Sequence, residues 1–306
     1  MLALAGDSAS GKSTLSRGIA DIMGSDRVIV ISADDYHRFD RRTRSDMGLT
    51  PLVPEANRPA ALARDLGTLA SGSPVTKPTY DHSTGTFGPD ETVDPAEVVI
   101  VEGLLPLADR RTRDAIDVGV FLEPEEIVRQ RWKLERDVFE RGYAPSDVVA
   151  ELRRREPDAA AYVRPQREFA SVIVRFHRRS GSRDHRRLSV RLVIRPTLPV
   201  PGLREVVGAI RGRANGGSAP VRWSTRTDRR GPMSVLDVDD DCPPEVGAEL
   251  EDAIWAALTP DDRMRWERIG IVRQPGHEER RSEALALSQL LIVSHLVGTF
   301  DAASVL

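Results

Sequence analysis

The sequence predicts an α/β protein whose first part has a mainly parallel sheet with flanking helices, followed by a smaller region of mixed strands and helices. Three observations predict this fold class. Short apolar runs alternate with helix-compatible stretches over about the first 178 residues, as in α/β domains. A glycine-rich segment, GDSASGKST at 6–14, joins the first apolar run to the first helix. Beyond a basic, loop-like segment at 178–187, turns rich in glycine and proline separate shorter strand-like runs.

The elements of the first part follow from the spacing of apolar residues. Short, continuous apolar runs are expected to be buried strands, and longer stretches with helical periodicity are expected to be helices. The predicted strands are 2–5, 28–31, 98–101, 116–122 and 172–176. The predicted helices are 13–23, 59–69, 124–140 and 147–155. Gly72 and Gly142 end the second and third helices, and Ser146 caps the fourth.

The second part has a different texture. Strands are predicted at 188–194, 221–225 and 234–238, and helices at 244–258 and 281–297, on either side of the apolar run 269–272. The predicted domains are therefore 1–178 and 186–306. The basic loop between them could bind nucleic acid, but it has few aromatic residues and no recognisable binding module. A solvated interdomain connection is the favoured interpretation.

The composition limits the classes of function. The chain has 306 residues, 30% of them charged, and a net charge of −3, which predicts no general attraction to nucleic acid. Cys242 is the only cysteine, so an intrachain disulfide and a cysteine metal cluster are both excluded. No apolar run approaches the roughly 20 residues of a membrane span, and no basic leader precedes the first strand. A cytoplasmic protein without a membrane partner is expected.

Lysine is scarce in this sequence. Only three of the 44 basic residues are lysines, namely Lys12, Lys77 and Lys133. Where arginine is so strongly favoured, a retained lysine suggests a position that needs a compact, flexible point charge rather than a planar fork.

The segment at 6–14 has the form G-x-x-x-x-G-K-[ST] of a phosphate-binding loop, with a strand before it and a helix after it. A chance match in a Gly/Ser-rich turn would lack that context. Backbone N–H groups, the helix N-terminus and a lysine would bind the phosphates of ATP, and a hydroxyl would bind Mg²⁺. The residues assigned to the nucleotide are Gly6, Asp7, Ser8, Ala9, Ser10, Gly11, Lys12, Ser13 and Thr14. The fold class is therefore of the P-loop NTPase type.

Carboxylates follow two of the predicted strands. Asp34 follows strand 28–31 and Glu102 follows strand 98–101, and ligands bind beyond the carboxyl ends of parallel strands. Asp34 is the predicted general base of a phosphoryl transfer to a hydroxyl. Asp35 is expected to point away from the site. The alternative role for these two aspartates is a helix cap or a turn. Glu102 is a predicted metal ligand, with an arginine ion pair as the alternative.

The predicted helix 124–140 and the residue after it carry cations on one face. These are Arg129, Lys133, Arg136 and Arg141, with Asp137 beside them. A solvated charged face is the simple interpretation. A mobile lid that closes over the nucleotide is the other, because such lids commonly carry cations.

A substrate with its own phosphate is expected. The extended segment 77–82 would project Tyr80 and His82 to the same side, where they could contact a polyhydroxy substrate. Five arginines exceed what ATP and its metal need, and arginine forks suit a second phosphate; they are Arg41, Arg42, Arg44, Arg136 and Arg141.

Six segments together resemble the phosphoribulokinase branch of the uridine-kinase-like P-loop kinases, in family order and over about residues 2–176. They are GDSASGKST (6–14), DDYHRFDR (34–41), GLTPLVPEAN (48–57), KPTYDH (77–82), VEGL (101–104) and KLERDVFERGY (133–143). The form is closest to the plant, cyanobacterial and archaeal branch. The resemblance implies ATP-dependent phosphorylation of D-ribulose 5-phosphate at its 1-hydroxyl, with Mg²⁺, by a homodimer joined through the second domain.

The resemblance also implies roles for individual residues. Asp34 matches the base, with Lys12 and Arg136 also catalytic, and Glu102 and Asp137 match acids near the metal, beside Ser13. Lys133 and Arg136 match the cationic helix over the phosphates. The positions matching the sugar-phosphate site are His37, Arg41, Tyr80, His82 and Arg141.

One departure from the plant pattern concerns thiols. Ala9 and Ser10 stand where plant enzymes have a cysteine in the loop, so thiol regulation by that route is not expected. The alternatives left open are a kinase for another pentose phosphate, a kinase for a nucleoside, and a nucleotide-binding sensor without catalysis.

Overall fold

The computed structural model describes residues 1–179, 187–196, 202–213, 219–256, 264–272 and 279–303. The chain divides into two compact units. The first comprises Met1–Ser16, Asp26–Leu122 and Arg129–Ala170, and the second comprises Arg17–Ser25, Glu123–Val128 and Ser171–Leu306. The division of the sequence into domains 1–178 and 186–306 stays a prediction.

The first unit contains parallel strands in the order β8-β1-β7-β2. Its strands are β1 (Leu2–Gly6), β2 (Val28–Ser32), β3 (Val75–Lys77), β4 (Tyr80–Asp81), β5 (Thr86–Phe87), β6 (Glu91–Val93), β7 (Val98–Gly103) and β8 (Val118–Leu122). Strand β1 is apolar and buried along its whole length, as expected of a central parallel strand covered on both faces. Strands β3 and β6 form one antiparallel pair, and β4 and β5 form another.

The helices placed among these strands are α1 (Lys12–Met23), α2 (Arg41–Asp46), α3 (Pro59–Ala70), α4 (Arg110–Arg113), α5 (Glu126–Glu135) and α6 (Pro145–Asp158). Helix α2 begins where the Asp40 side chain accepts a hydrogen bond from the Thr43 N–H, an N-cap contact. Helix α3 has a proline at its first position, where the missing N–H costs nothing. A 3₁₀ turn, Ala33–Tyr36, follows β2, and a π-helical turn, Arg136–Glu140, follows α5.

The second unit contains antiparallel strands in the order β11-β12-β10-β9. Its strands are β9 (Val172–His177), β10 (Ser189–Ile194), β11 (Val221–Asp228), β12 (Gly231–Val238), β13 (Ile271–Val272) and β14 (Arg280–Arg281). Its helices are α7 (Leu203–Arg213), α8 (Pro244–Ala256) and α9 (Glu283–Ala303). Cys242 is buried, and burial raises the pKa of its thiol to about 12.

The fold class predicted from the sequence is confirmed, and most predicted elements agree with the structure to within a few residues. Helix α7 was not predicted, although Leu203, Val207 and Ile210 are buried at helical spacing. The predicted helix 124–140 is α5 followed by the π-helical turn. Most of the basic loop 178–187 and the end of the predicted helix 244–258 lie outside the described residues. Within the described ranges, no helix is both long and apolar enough to cross a membrane.

Candidate active site at the phosphate loop

The loop between β1 and α1 is tightly turned, and its glycines are required by space and backbone conformation. A Cβ on Gly6 would lie 2.6 Å from the carbonyl oxygen of Leu122 and 2.7 Å from Ser10 Oγ. Gly11 has φ +95°, a conformation that L-residues with a side chain rarely adopt. The loop therefore depends on glycine at both positions, and it leads directly into the N-terminus of α1, where anions are favoured.

Lys12 lies within the turn of the loop. Its Nζ donates hydrogen bonds to the carbonyl oxygens of Gly6 at 2.9 Å and Asp7 at 2.8 Å. Burial lowers the pKa of Lys12, and the negative charges of Asp34 and Glu102 oppose that effect. The lysine thus links the loop electrostatically to both carboxylates that follow β2 and β7.

Glu102 lies at the carboxyl end of β7, beside the start of α1. Its Oε1 accepts a hydrogen bond from Ser13 Oγ at 3.0 Å and its Oε2 accepts one from Ser16 Oγ at 2.9 Å. Both of these partners are serine hydroxyls, and the role of Glu102 as a metal ligand stays a prediction. A Cβ on the next residue, Gly103, would lie 2.5 Å from the Cβ of Ala33, so this glycine lets β7 approach the turn that carries Asp34.

Asp34 lies on the 3₁₀ turn after β2, where the Ser32 hydroxyl caps the backbone N–H of Asp34. Its Oδ2 is 3.3 Å from His82 Nε2, and its side chain is 22% exposed. Burial alone would raise the pKa of Asp34. The hydrogen bond from His82 and the charges of His37, His82 and Lys12 outweigh that effect and hold the pKa below its usual value. Asp34 is therefore ionised at neutral pH and open to solvent on one side.

His82, which contacts this carboxylate, is one of three rings linked by edge contacts. The Tyr80 ring makes edge contacts with the rings of His37, at a centroid distance of 4.9 Å, and His82, at 5.3 Å. The Tyr80–His82 contact agrees with the expectation that both side chains project to one side. His37 Nδ1 is 2.7 Å from Asn57 Oδ1, which fixes the orientation of its ring.

Two arginines of α2 extend the same cluster. Arg41 donates to the Tyr143 hydroxyl at 3.0 Å and to the carbonyl oxygen of His82. Arg44 is buried, donates to the Tyr80 hydroxyl at 3.4 Å and lies over the Tyr80 ring. The structure thus brings His37, Arg41, Tyr80 and His82 together around Asp34.

The remaining predicted cations lie on α5, on the π-helical turn after it and at Arg141, the residue after that turn. Arg136 donates from Nη2 to Ser8 Oγ at 3.1 Å and from Nε to Asp137 Oδ1 at 2.9 Å. Asp137 also accepts from Lys133 Nζ at 2.5 Å and lies 3.4 Å from Arg141 Nη1. The side chains of Lys133 and Asp137 are only 2% and 1% exposed. Arg136 therefore reaches the phosphate loop, whereas Lys133 contacts carboxylates in a buried cluster.

The carboxylate at the centre of this cluster is stabilised in its ionised form. Burial would raise the pKa of Asp137, but the hydrogen bonds from Lys133 and Arg136 lower it below its usual value. Asp137 contacts three cationic side chains, as expected of a carboxylate in a buried ion-pair cluster. Its predicted role as a metal ligand stays a prediction.

Two further arginines were not found from the sequence, one beside the Lys133–Asp137 cluster and one beside the phosphate loop. Arg155, in α6, pairs with Glu151, and its buried Nε has no hydrogen-bond partner within the described residues. Arg164 lies 3.6 Å from Asp7 and pairs with Glu156. Arg155 is the last of three consecutive arginines, so residue spacing alone could not distinguish it from its exposed neighbours.

A parallel sheet, a phosphate loop between its first strand and first helix, and carboxylates at its carboxyl edge define a P-loop protein of the nucleotide-binding class. The chain belongs to the Phosphoribulokinase / Uridine kinase family, whose model matches residues 1–180. The resemblance inferred from the six sequence segments is thereby confirmed.

Individual relatives agree with this placement. The chain is 41% identical over 195 residues to a phosphoribulokinase from Synechocystis, covering 63% of this chain and 59% of that protein. It is 31% identical over 183 residues to a uridine kinase from Lactococcus lactis, covering 57% of this chain and 86% of that protein. The solved structure of a phosphoribulokinase from Rhodobacter spheroides shares the fold, with a TM-score of 0.54 at 16% identity, covering 83% of this chain and 97% of the other.

The length of the match is part of this finding. The chain spans between about half and three fifths of the length of the curated phosphoribulokinases it matches, 59% of the cyanobacterial protein and 48% of the chloroplastic one from Arabidopsis thaliana.

Proposed function

We propose that the protein is an ATP-dependent kinase that phosphorylates D-ribulose 5-phosphate at O1, giving D-ribulose 1,5-bisphosphate and ADP. One observation carries this proposal: Asp34 is ionised, partly exposed, and grouped with two histidines, a tyrosine and arginines. The positive charge of Lys12 in the phosphate loop also helps to lower the pKa of Asp34. Asp34 is therefore common to two groups of residues. One is the proposed triphosphate-binding loop, through the charge of Lys12, and the other is the cluster of rings and arginines, which suits a hydroxylated anion.

The reaction needs a proton acceptor at the substrate hydroxyl. Asp34 takes the proton from the 1-hydroxyl as the bond from O1 to the γ-phosphorus of ATP forms and the bond from that phosphorus to the bridging oxygen of ADP breaks. Lys12, Arg136 and the backbone N–H groups of the loop stabilise the charge on the phosphate oxygens. The low pKa of Asp34 keeps this base ionised throughout the neutral range.

Mg²⁺ is the metal we assign to the reaction, and the donor set of the loop fits it. Ser13 and Glu102 offer neighbouring oxygens, the ligand type that Mg²⁺ prefers, and this ion typically uses only one or two carboxylates besides phosphates and water. When bound, Mg²⁺ neutralises negative charge on the β- and γ-phosphates. Asp137 is retained as a proposed second acid near the metal, with Ser13 and Glu102 as the primary pair.

The substrate side of the site is assigned to His37, Arg41, Tyr80, His82 and Arg141. Arginine forks bind phosphate in two parallel hydrogen bonds, which favours an acceptor with its own phosphate over a nucleoside. Lys133 and Arg136 are assigned to the nucleotide side, Arg136 through its contact with Ser8 and Lys133 through its pairing with Asp137.

A homodimer is the assembly we assign to the chain. Strand β11 ends the strand order of the second unit, and the middle of this strand is exposed. A long, free strand edge is a template for pairing with another strand unless it is covered. The proposed substrates, ATP and a sugar phosphate, suit the predicted cytoplasmic location.

The proposal is tested by an ADP-coupled assay with ribulose 5-phosphate, ribose 5-phosphate, xylulose 5-phosphate and uridine as acceptors. Turnover with ribulose 5-phosphate at a kcat/KM at least tenfold above that of any other acceptor is expected. Turnover with uridine alone would assign a nucleoside kinase instead. ATP binding without turnover of any of the four acceptors would favour a sensor.

A further inference from the structure

A buried ion pair lies directly behind the proposed base. The Nζ of Lys77 is 2.7 Å from Oδ2 of Asp35, and the two side chains are only 5% and 12% exposed. Asp35 is the residue after Asp34, but successive side chains of a 3₁₀ turn point in directions about 120° apart. The two neighbouring carboxylates therefore face different partners, and Asp35 takes no part in the chemistry proposed for Asp34.

Asp35 holds the segment 77–82 at two points. While Oδ2 contacts the Lys77 ammonium, Oδ1 accepts a hydrogen bond from the backbone N–H of Tyr80 at 2.9 Å. Burial would lower the pKa of Lys77, but the hydrogen bonds and charges of Asp35 and Glu91 outweigh it and raise the pKa. The Lys77 ammonium therefore stays charged across the neutral range.

The segment 77–82 also carries His82, whose ring contacts the proposed base, Asp34. Two residues beyond Tyr80, the His82 ring contacts both the Tyr80 ring and the carboxylate of Asp34. A shift of the segment relative to the turn Ala33–Tyr36 would move His82 away from Asp34. Such a shift is opposed by the side-chain contact at Lys77 and the backbone contact at Tyr80, both of which end on Asp35.

We infer that Asp35 and Lys77 form a positioning clasp, which sets the segment 77–82 on the turn Ala33–Tyr36 and thereby places His82 against Asp34. The inference rests on the proposed function, because that function makes Asp34 the base. The clasp also gives a reason for a lysine at position 77, one of the three lysines in the chain. The single ammonium of Lys77 contacts Asp35, Glu91 and the carbonyl oxygen of Pro78, a set of partners that suits a compact charge better than a planar fork.

Kinetics and nucleotide binding test the clasp together. Asp35→Asn and Lys77→Met are each expected to lower kcat/KM for the acceptor about 10- to 100-fold, because a displacement of about 1 Å at a reacting group has effects of this size. The Kd of ATP, measured by calorimetry, should stay within twofold, since no clasp residue touches the phosphate loop. Rates are expressed per nucleotide-binding site, so that misfolded protein does not count.

Two further variants distinguish positioning from general stability. Glu91→Gln removes the partner of Lys77 that is 58% exposed, and its kinetic constants should stay within twofold of wild type. In a His82→Ala background, Asp35→Asn should cost less than about threefold, because residues that act through one another are not additive. Should a single variant leave an unpaired buried charge and fail to fold, Asp35→Asn/Lys77→Met removes both charges and is used in its place.

Hydrogen exchange of the segment 77–82 gives a readout that needs no acceptor. Exchange at least tenfold faster in the clasp variants than in wild type and Glu91→Gln is expected. Unchanged exchange, or normal kcat and KM per binding site with only a lower melting temperature, would overturn the clasp. A wild-type protein that turns over none of the acceptors would refute the proposed function, and the exchange experiment would still decide the clasp.

Discussion

The two units of the molecule use charged residues in different ways. In the second unit, arginines in or beside the strands form ion pairs with aspartates: Arg195 with Asp228, Arg191 with Asp237, and Arg222 with Asp239. In the first unit, Lys133, Arg136, Arg141 and Arg155 converge on only Asp137 and Glu151. Pairwise neutralisation leaves little field outside the pair, whereas a surplus of cations attracts anions. The cation-rich cluster around Asp137 and Glu151 therefore differs from these ion pairs of the second unit in the distribution of its charge.

The largest effect expected in the first unit is the loss of the base. Asp34→Asn should lower kcat by about 10²–10⁴-fold, because the acceptor hydroxyl loses its proton acceptor. ATP binding should persist, since the loop and Lys12 are intact. Steady-state kinetics and calorimetry measure the two properties, and Asp46→Asn, an exposed position in α2, is the control. Turnover close to wild type in Asp34→Asn would remove Asp34 from the reaction.

The second expected effect is on stability, at the carboxylate among three cations. Asp137→Asn should lower the free energy of unfolding by about 3–5 kcal/mol, because it leaves the buried Lys133 ammonium without its closest partner. Urea denaturation measures the change, with the exposed Asp147→Asn as the control. A loss below about 1 kcal/mol would show that the cluster is not a buried ion pair.

The same carboxylate fixes the sign of a pH dependence. Since folding lowers the pKa of Asp137, its contribution to stability is fully present above the unfolded-state pKa of about 3.9. That contribution is lost as the pH falls through the lower folded-state pKa. The urea midpoint of wild type should therefore fall with acid more steeply than that of Asp137→Asn, and parallel pH curves would contradict this assignment.

The third effect concerns substrate affinity. Arg41→Ala should raise the KM for the sugar phosphate about 10- to 100-fold, since hydrogen bonds to charged groups contribute about 1.5–3 kcal/mol. The KM for ATP should change little. Arg110→Ala, in α4 at a position whose side chain is 85% exposed, is the control. Equal increases in both KM values would place Arg41 outside the acceptor site.

The smallest effect on activity is expected in the second unit. Arg195→Met breaks the contacts of one guanidinium with Asp228 and should cost about 1–3 kcal/mol of stability, with kcat and both KM values within twofold of wild type. Thermal denaturation and kinetics check the two halves of this expectation. A kinetic effect as large as that of Arg41→Ala would show that Arg195 contributes to catalysis or substrate binding and not to stability alone.

Much of this arrangement could be predicted from the sequence, for physical reasons that differ by residue. The phosphate loop was predictable because its function depends on local backbone geometry, which GDSASGKST specifies by itself. Asp34 and Glu102 were predictable because the carboxyl ends of parallel strands meet at one edge, and the register pairs Ser32 with Glu102.

Other features depend on contacts between distant segments. Lys133 and Arg136 are three positions apart on one helical stretch, yet one is buried against a carboxylate and the other reaches Ser8. The prediction from sequence periodicity assumed a regular α-helix. The π-helical turn at 136–140 instead changes the directions in which the side chains point. The pairing of Asp35 with Lys77 joins residues 42 positions apart, which no local pattern encodes.

The burial of the lysines has a practical consequence for labelling chemistry. Lys77 and Lys133 are buried and engaged with carboxylates, whereas Lys12 lies half-buried in the phosphate loop. A reagent that acylates lysine amines is therefore expected to reach Lys12 more readily than Lys77 or Lys133, and Lys12 belongs to the proposed nucleotide site. Protection of Lys12 by a triphosphate, followed by peptide mass spectrometry, would measure occupancy of the loop without any engineered label.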